Sequence, residues 1–155
     1  MLIAFILPAE GWISSPYGLR VDPFTKHWGF HRGVDVANHY AIAVKATESG
    51  TVLFAGKKTG YGKLVILEHN DGSQTYYGHL GRIFVGAGGS IAQGQLVGWM
   101  GMTGRATGAH VHYEVRQGGV AVDPAGVSVF QRSNVPIFQL ENFWAILNEN
   151  IFPPI

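Results

Sequence analysis

Between residues 41 and 116 apolar positions alternate with polar ones or gather in short apolar runs, and they do not recur at helical spacing. A period of two sends successive side chains to opposite faces of an extended strand. Six segments carry this signal: 41–46, 50–56, 63–69, 73–80, 95–100 and 109–116. Asp71-Gly72 falls between the third and fourth, a strong hairpin signal, so those two segments are expected to pair antiparallel. The tail changes period. In "VPIFQLENFWAILNEN" the residues Ile137, Leu140, Phe143, Trp144 and Leu147 recur at three and four, Pro136 suits a first helical turn, and Pro153-Pro154 follow. The pattern predicts an all-β chain, mostly antiparallel sheet, with one C-terminal amphipathic helix. The apolar face of that helix either packs on the sheet or docks a partner.

Composition narrows the chemistry. The 155 residues suffice for one domain with a core of its own. Glycine, at 22 residues, has about twice its usual share of ~7%, in keeping with many tight turns. With no cysteine, a metal must be held by histidine, carboxylate or backbone oxygen. A net charge of +1 with scattered Lys and Arg offers no stripe for neutralising phosphates, so nucleic acid is not an expected partner. The opening "MLIAFIL" is too short to span a bilayer and lacks the basic start and cleavage pattern of a secretory signal. The expectation is therefore no membrane span and no signal peptide in this chain. The chain is then either a fragment or reaches its target by lysis or in a larger particle.

The histidines supply the candidate chemistry. In "AHVHYEVR" the apolar Val111, Tyr113 and Val115 alternate with His110, His112 and Glu114, which places the three polar side chains on one strand face about 6.6 Å apart. His31 and Asp35, in "HRGVDVA", would stand about 13 Å apart at Cα if extended, too far to share an ion. The backbone between them must bend, and Gly33 is the residue freest to take a bent or left-handed conformation. By the same period of two, Tyr77 and His79 share a face of the hairpin strand, with His79 near its end. Together His31, Asp35, His79, His110 and His112 make the candidate site. His27, His39 and His69 are read as surface or hydrogen-bonded core histidines. Two imidazoles and one carboxylate leave a coordination position open for water, the mark of a catalytic zinc. Zinc lowers that water's pKa to about 7 and polarises a carbonyl, while two further imidazoles can take up a proton and stabilise an oxyanion. Spacing leaves open which of His110 and His112 is the ligand.

Over about residues 11–126 the ordered pieces "ISSPYGLRVDP", "HRGVDVA", "ESGTVLFAG", "YGKLVILEHNDG", "YYGHL", "GQLVGWMGMTGRATGAHVHYEV" and "VDP" resemble those of the lysostaphin-type zinc metallopeptidases, endopeptidases that cut peptide cross-links in bacterial peptidoglycan. The resemblance implies one Zn2+ ion held by His31, Asp35 and His112, with His79 and His110 as the catalytic pair. It implies a groove floored by the sheet and walled by residues 22–30, 57–62, 86–92 and 101–108, with Trp28, Phe30 and Tyr61 as candidate lining. Peptidoglycan stems and cross-bridges become the expected partners, and action outside the cytoplasm, secreted or virion-associated, the expected setting. "VGAGGSIAQGQ" lacks the acidic residue often found there, which affects only a turn. The chain divides into a metallopeptidase domain, 1–126, and a tail, 127–155, with no counterpart in the family. The tail helix is expected to pack on the domain, to cover part of the groove, or to join a larger protein or virion assembly.

Two rivals share parts of this pattern. Two histidines and a carboxylate also describe the facial triad of iron(II) oxygenases, but that reading leaves two histidines without a role. A non-catalytic wall-binding or phage structural module could keep the fold, yet all five expected residues are present. "GKKTGYGKL" is not a phosphate loop, since the gap from Gly56 to Gly62 is one residue too long and Leu64 replaces the hydroxyl residue. No Gly-x-Ser-x-Gly elbow occurs. Whether a glycine bridge or a direct D-alanyl-diaminopimelate bond is cut depends on groove shape.

Overall fold

The computed structural model describes residues 7–39 and 42–129. Its strands are β1 (Trp12–Ser15), β2 (Gly18–Val21), β3 (Trp28–His31), β4 (Val34–Ala37), β5 (Ala43–Lys45), β6 (Gly50–Lys58), β7 (Gly62–Glu68), β8 (Gln74–Leu80), β9 (Arg82–Ile83), β10 (Ser90–Ile91), β11 (Leu96–Trp99), β12 (His110–Gln117) and β13 (Val120–Val122). One short helix follows, α1 (Pro124–Val129), with the Asp123 carboxylate accepting the Ala125 N–H at 2.9 Å in the manner of an N-cap. The expected helix over 137–147 lies outside the described residues.

Every strand pair is antiparallel. The main sheet runs β1-β4-β12-β8-β7-β6-β10, with β13 beside β12; β5-β11-β9 form a second sheet, and among the described residues β2 and β3 pair only with each other. All six expected segments contain strands. The turn at Asp71-Gly72 also forms: Gly72 adopts φ 80°, and Asp71 accepts hydrogen bonds from the Ser73 N–H and hydroxyl at 2.9 and 2.6 Å. The strands not anticipated are two to four residues long, too short for an alternation to stand out.

Alternation gives the main sheet two different faces. Val111, Tyr113 and Val115 of β12, Val34 and Val36 of β4, Tyr77 of β8 and Val65 and Leu67 of β7 join Val44, Ala46, Val97 and Met100 in one core between the two sheets. Within it the Thr47 hydroxyl meets the Tyr77 and Tyr113 hydroxyls at 2.9 and 3.0 Å, so the buried phenols are paired. The opposite face carries a smaller cluster of Leu64, Ile66 and Tyr76, with Phe54 and Tyr61 packed against it. His110, His112 and Glu114 are interleaved with the core residues of β12 and therefore project to this second face.

Candidate metal centre

Strand register brings the first two donors together. In the β4–β12 ladder Asp35 lies directly opposite His112, and side chains so paired share a face with Cβ atoms about 4.5–5.5 Å apart. His31 arrives differently, at the end of the β2–β3 ribbon, and the chain turns the corner at Arg32 and Gly33 before entering β4. The chain bends at Gly33, as the sequence suggested, but without a left-handed backbone, and the need for glycine there is steric. Gly33 is not among the glycines with positive φ; a Cβ there would stand 2.2 Å from the Tyr113 carbonyl oxygen.

Three atoms converge. His31 Nε2 lies 3.1 Å from Asp35 Oδ1 and 3.1 Å from His112 Nδ1, and His112 Nδ1 lies 2.8 Å from Asp35 Oδ1. Each imidazole is tied at its other nitrogen: His31 Nδ1–H donates to the Pro16 carbonyl at 2.7 Å, and His112 Nε2–H donates to Glu114 Oε1 at 3.0 Å. With those nitrogens committed, His31 Nε2, His112 Nδ1 and Asp35 Oδ1 are the atoms left facing one point. A tetrahedral metal ion with donors at about 2.0–2.1 Å holds them about 3.3–3.4 Å apart, so a small adjustment of this triangle fits a cation. The electrostatics agree. Burial opposes charge on His112, but hydrogen bonds to Asp35 and Glu114 outweigh it and raise its pKa. Burial likewise pushes the Asp35 carboxyl up, and the two histidines overcome this and hold it well below the usual carboxylate range. Among the described residues, His31, Asp35 and His112 are the one group of His, Asp or Glu donors close enough to share an ion.

His79 reaches the same point by breaking the strand rule. Straight alternation would keep it on the face the sequence has it share with Tyr77, which is the core face. Instead the β7–β8 register shifts between Lys63/Leu80 and Val65/Tyr77, and His79 takes φ 60°. A bulge of this kind re-aims a side chain, and here it turns His79 to the site face, its ring centroid 4.7 Å from that of His110. The unusual backbone is held by the His79 N–H donating to the Tyr61 carbonyl at 2.8 Å and Nδ1–H donating to the Thr103 carbonyl at 2.7 Å. His110 Nδ1–H donates to the Gly108 carbonyl at 2.9 Å, and its Nε2 lies 3.6 Å from Asp35 Oδ1. Burial lowers the His79 pKa to about 4, so its ring is neutral near pH 7. All five predicted site residues therefore surround one cleft of about 250 Å³.

The cleft walls match the expectation in part. Asp22, Pro23, Phe24 and Phe30 line one side, with Gly60, Tyr61, Arg105 and Thr107 completing the rim. Residues 86–92 are not part of the wall, because Ser90–Ile91 pair with β6 at the far edge of the main sheet. Trp28, 75% exposed, lies outside the lining. His69 is a core histidine bonded to the Ser49 carbonyl and Thr75 hydroxyl, both at 2.9 Å, while His27 and His39 are exposed. The supporting roles of Arg20, Glu114 and Arg116 are not evident from the sequence. Arg20 donates to Asp35 Oδ2 at 3.2 Å and also meets Ser15. Glu114, 1% exposed, accepts from His112, from the Tyr61 hydroxyl at 2.6 Å and from Arg116 Nε at 2.8 Å. The usable signal was the shared strand face of His112, Glu114 and Arg116 at intervals of two.

Residues 29–124 match the model of Peptidase family M23. The chain is 41% identical over 117 residues to the DD-carboxypeptidase/endopeptidase Mpg of Neisseria meningitidis, covering 76% of this chain and 27% of that protein. It is 32% identical over 118 residues to the murein hydrolase activator NlpD of Escherichia coli, covering 76% of this chain and 31% of that one. A zinc-containing peptidase of Vibrio cholerae superposes with a TM-score of 0.71 at 34% identity, covering 77% of this chain and 39% of the other. The chain thus spans roughly a quarter to a third of the length of these curated relatives. Motif order, antiparallel fold and family match agree, and the chain belongs to peptidase family M23, that of the lysostaphin-type peptidases.

Proposed function

We propose that this domain is a zinc-dependent endopeptidase that hydrolyses peptide cross-links of bacterial peptidoglycan outside the cytoplasm. The carrying observation is the convergence of His31 Nε2, His112 Nδ1 and Asp35 Oδ1 on one point, with two more imidazoles facing the same cleft. In this reading His31, Asp35 and His112 hold the ion, and His79 and His110 are the catalytic pair. When bound, zinc supplies Lewis acidity, polarising a scissile carbonyl and lowering the pKa of a water to about 7. The rest falls to the chain itself. His79, neutral and with Nδ1–H committed to Thr103, offers Nε2 as a proton acceptor. His110, with Nδ1–H committed to Gly108, offers a second Nε2 that can return a proton or, once protonated, steady negative charge on the substrate oxygen. Arg20 binds Asp35 Oδ2, leaving Oδ1 for the ion.

The relative named a DD-carboxypeptidase/endopeptidase favours a cross-link between D-residues over a glycine bridge. The relative named a murein hydrolase activator carries the second reading, a wall-associated domain that works through another hydrolase. Purified protein assayed for bound metal and for new amino ends on walls of several chemotypes separates them. The enzyme reading expects stoichiometric zinc and hydrolysis lost in His31→Ala and Asp35→Ala together with the metal, while His110→Ala keeps the metal and loses most turnover. Hydrolysis by metal-free His31→Ala protein would falsify the assignment; iron with oxygen dependence would point to the oxygenase reading.

A further inference from the structure

The β2–β3 ribbon has two unlike faces. Its register pairs Leu19 with Phe30 and Val21 with Trp28, so these four side chains form one apolar block. Gly18, Arg20, Gly29 and His31 occupy the other face, from which Arg20 and His31 reach Asp35. The block is open: Leu19 is 74% exposed, Val21 49%, Trp28 75% and Phe30 55%. A two-stranded ribbon is marginal in water by itself and ordinarily needs a third strand or a helix against its apolar face. Among the described residues this one pairs with no further strand.

The chain carries a segment that fits. We propose that residues 137–147 dock as an amphipathic helix on the Leu19/Val21/Trp28/Phe30 face, bracing the ribbon that carries His31, with Phe30 at the border between this face and the cleft. Its stripe of Ile137, Leu140, Phe143, Trp144 and Leu147 supplies the apolar partner. Eleven helical residues extend about 16 Å, against about 13 Å for a four-residue strand. The attachment point is near. Tyr17 donates its hydroxyl to the Ala121 carbonyl in β13 at 3.0 Å, and its ring meets Phe30 edge-on at 5.0 Å, so the strand that leads into α1 lies one tyrosine away from the block. Residues 130–136, between α1 and the stripe, reach about 23 Å if extended, enough to return to it. The proposal does not depend on the hydrolytic reading, and either can fail without the other.

The absence of cysteine makes cross-linking in the full chain a clean test. Leu19→Cys with Leu140→Cys, and Val21→Cys with Leu147→Cys, are compared with Leu53→Cys plus Leu140→Cys, whose first site is 45% exposed on β6. Under mild oxidation of dilute protein, the ribbon pairs should close intramolecular disulfides at least about tenfold faster than the control, since docking raises their effective concentration. Adding Phe143→Pro should return them to the control rate by breaking the helix. Equal rates at ribbon and control, cross-links only between two molecules, or full retention with Phe143→Pro would each overturn the proposal; the second would make a second copy of the chain the occupant.

Discussion

Each of the four site histidines has one ring nitrogen committed to a neighbour, to Pro16, Thr103 or Gly108 carbonyls or to the Glu114 carboxylate, and this determines which nitrogen is left for chemistry. Only Glu114 contributes a charge, and it is itself clamped by Tyr61 and Arg116. Glu114→Gln keeps an acceptor but removes that charge, whereas Glu114→Ala removes both. Metal affinity is expected to fall about tenfold in the first and toward about 100-fold in the second, read by competition with a chromophoric chelator. Unchanged affinity in both would reduce Glu114 to a packing role. At this scale the site was largely legible: the residue types, their number and the shared face of His110, His112 and Glu114 follow from alternation. The role of Glu114 did not, because its partner Tyr61 is 53 residues away in the chain.

Two local departures from regular strand geometry deliver side chains to the cleft. The bulge at His79 moves an imidazole from the core face to the site face, and the Arg32–Gly33 corner passes the chain from the ribbon to the main sheet. Neither is visible in a periodic pattern, since a bulge is an exception to the period and the corner glycine is required by a backbone contact with β12. Gly33→Ala should press its methyl into the Tyr113 carbonyl, costing on the order of 1–3 kcal/mol by urea denaturation. Because the corner joins His31 to Asp35, the same variant should weaken metal binding more than a comparable surface substitution. Retention of both stability and affinity would show that the corner can relax. The long strands, by contrast, were legible because their alternation is repeated often enough to stand out.

The assembled molecule should respond to metal and to pH as a whole. An ion bound only by the folded state adds about 2.7 kcal/mol at a free concentration 100 times its Kd, so chelation should lower the Tm and zinc restore it, while Asp35→Ala should show neither change. Away from the cleft, Glu48 keeps Oε2 buried without a hydrogen-bond partner among the described residues; burial, aided by the charge of Asp71, raises its pKa to about 7. Below its ordinary range near 4.5 both folded and unfolded chains hold the proton and Glu48 has no effect. Between that value and about 7 only the unfolded chain ionises, so this contribution to stability falls as pH rises. Glu48→Gln should therefore melt above the unsubstituted protein near pH 8 and beside it near pH 4.5; a constant offset across that range by calorimetry would contradict the account. By itself the sequence determined the antiparallel β-class, the β7–β8 hairpin and the list of candidate site residues, because strand alternation, turn chemistry and side-chain chemistry are properties of neighbours along the chain. Tertiary structure alone decided that His31 and Asp35 meet His112 across 81 and 77 residues, that His79 turns toward them, and that Arg20 and Glu114 hold them in place. Those placements depend on the register between distant strands, which hydrogen bonding and core packing select together and no local period encodes.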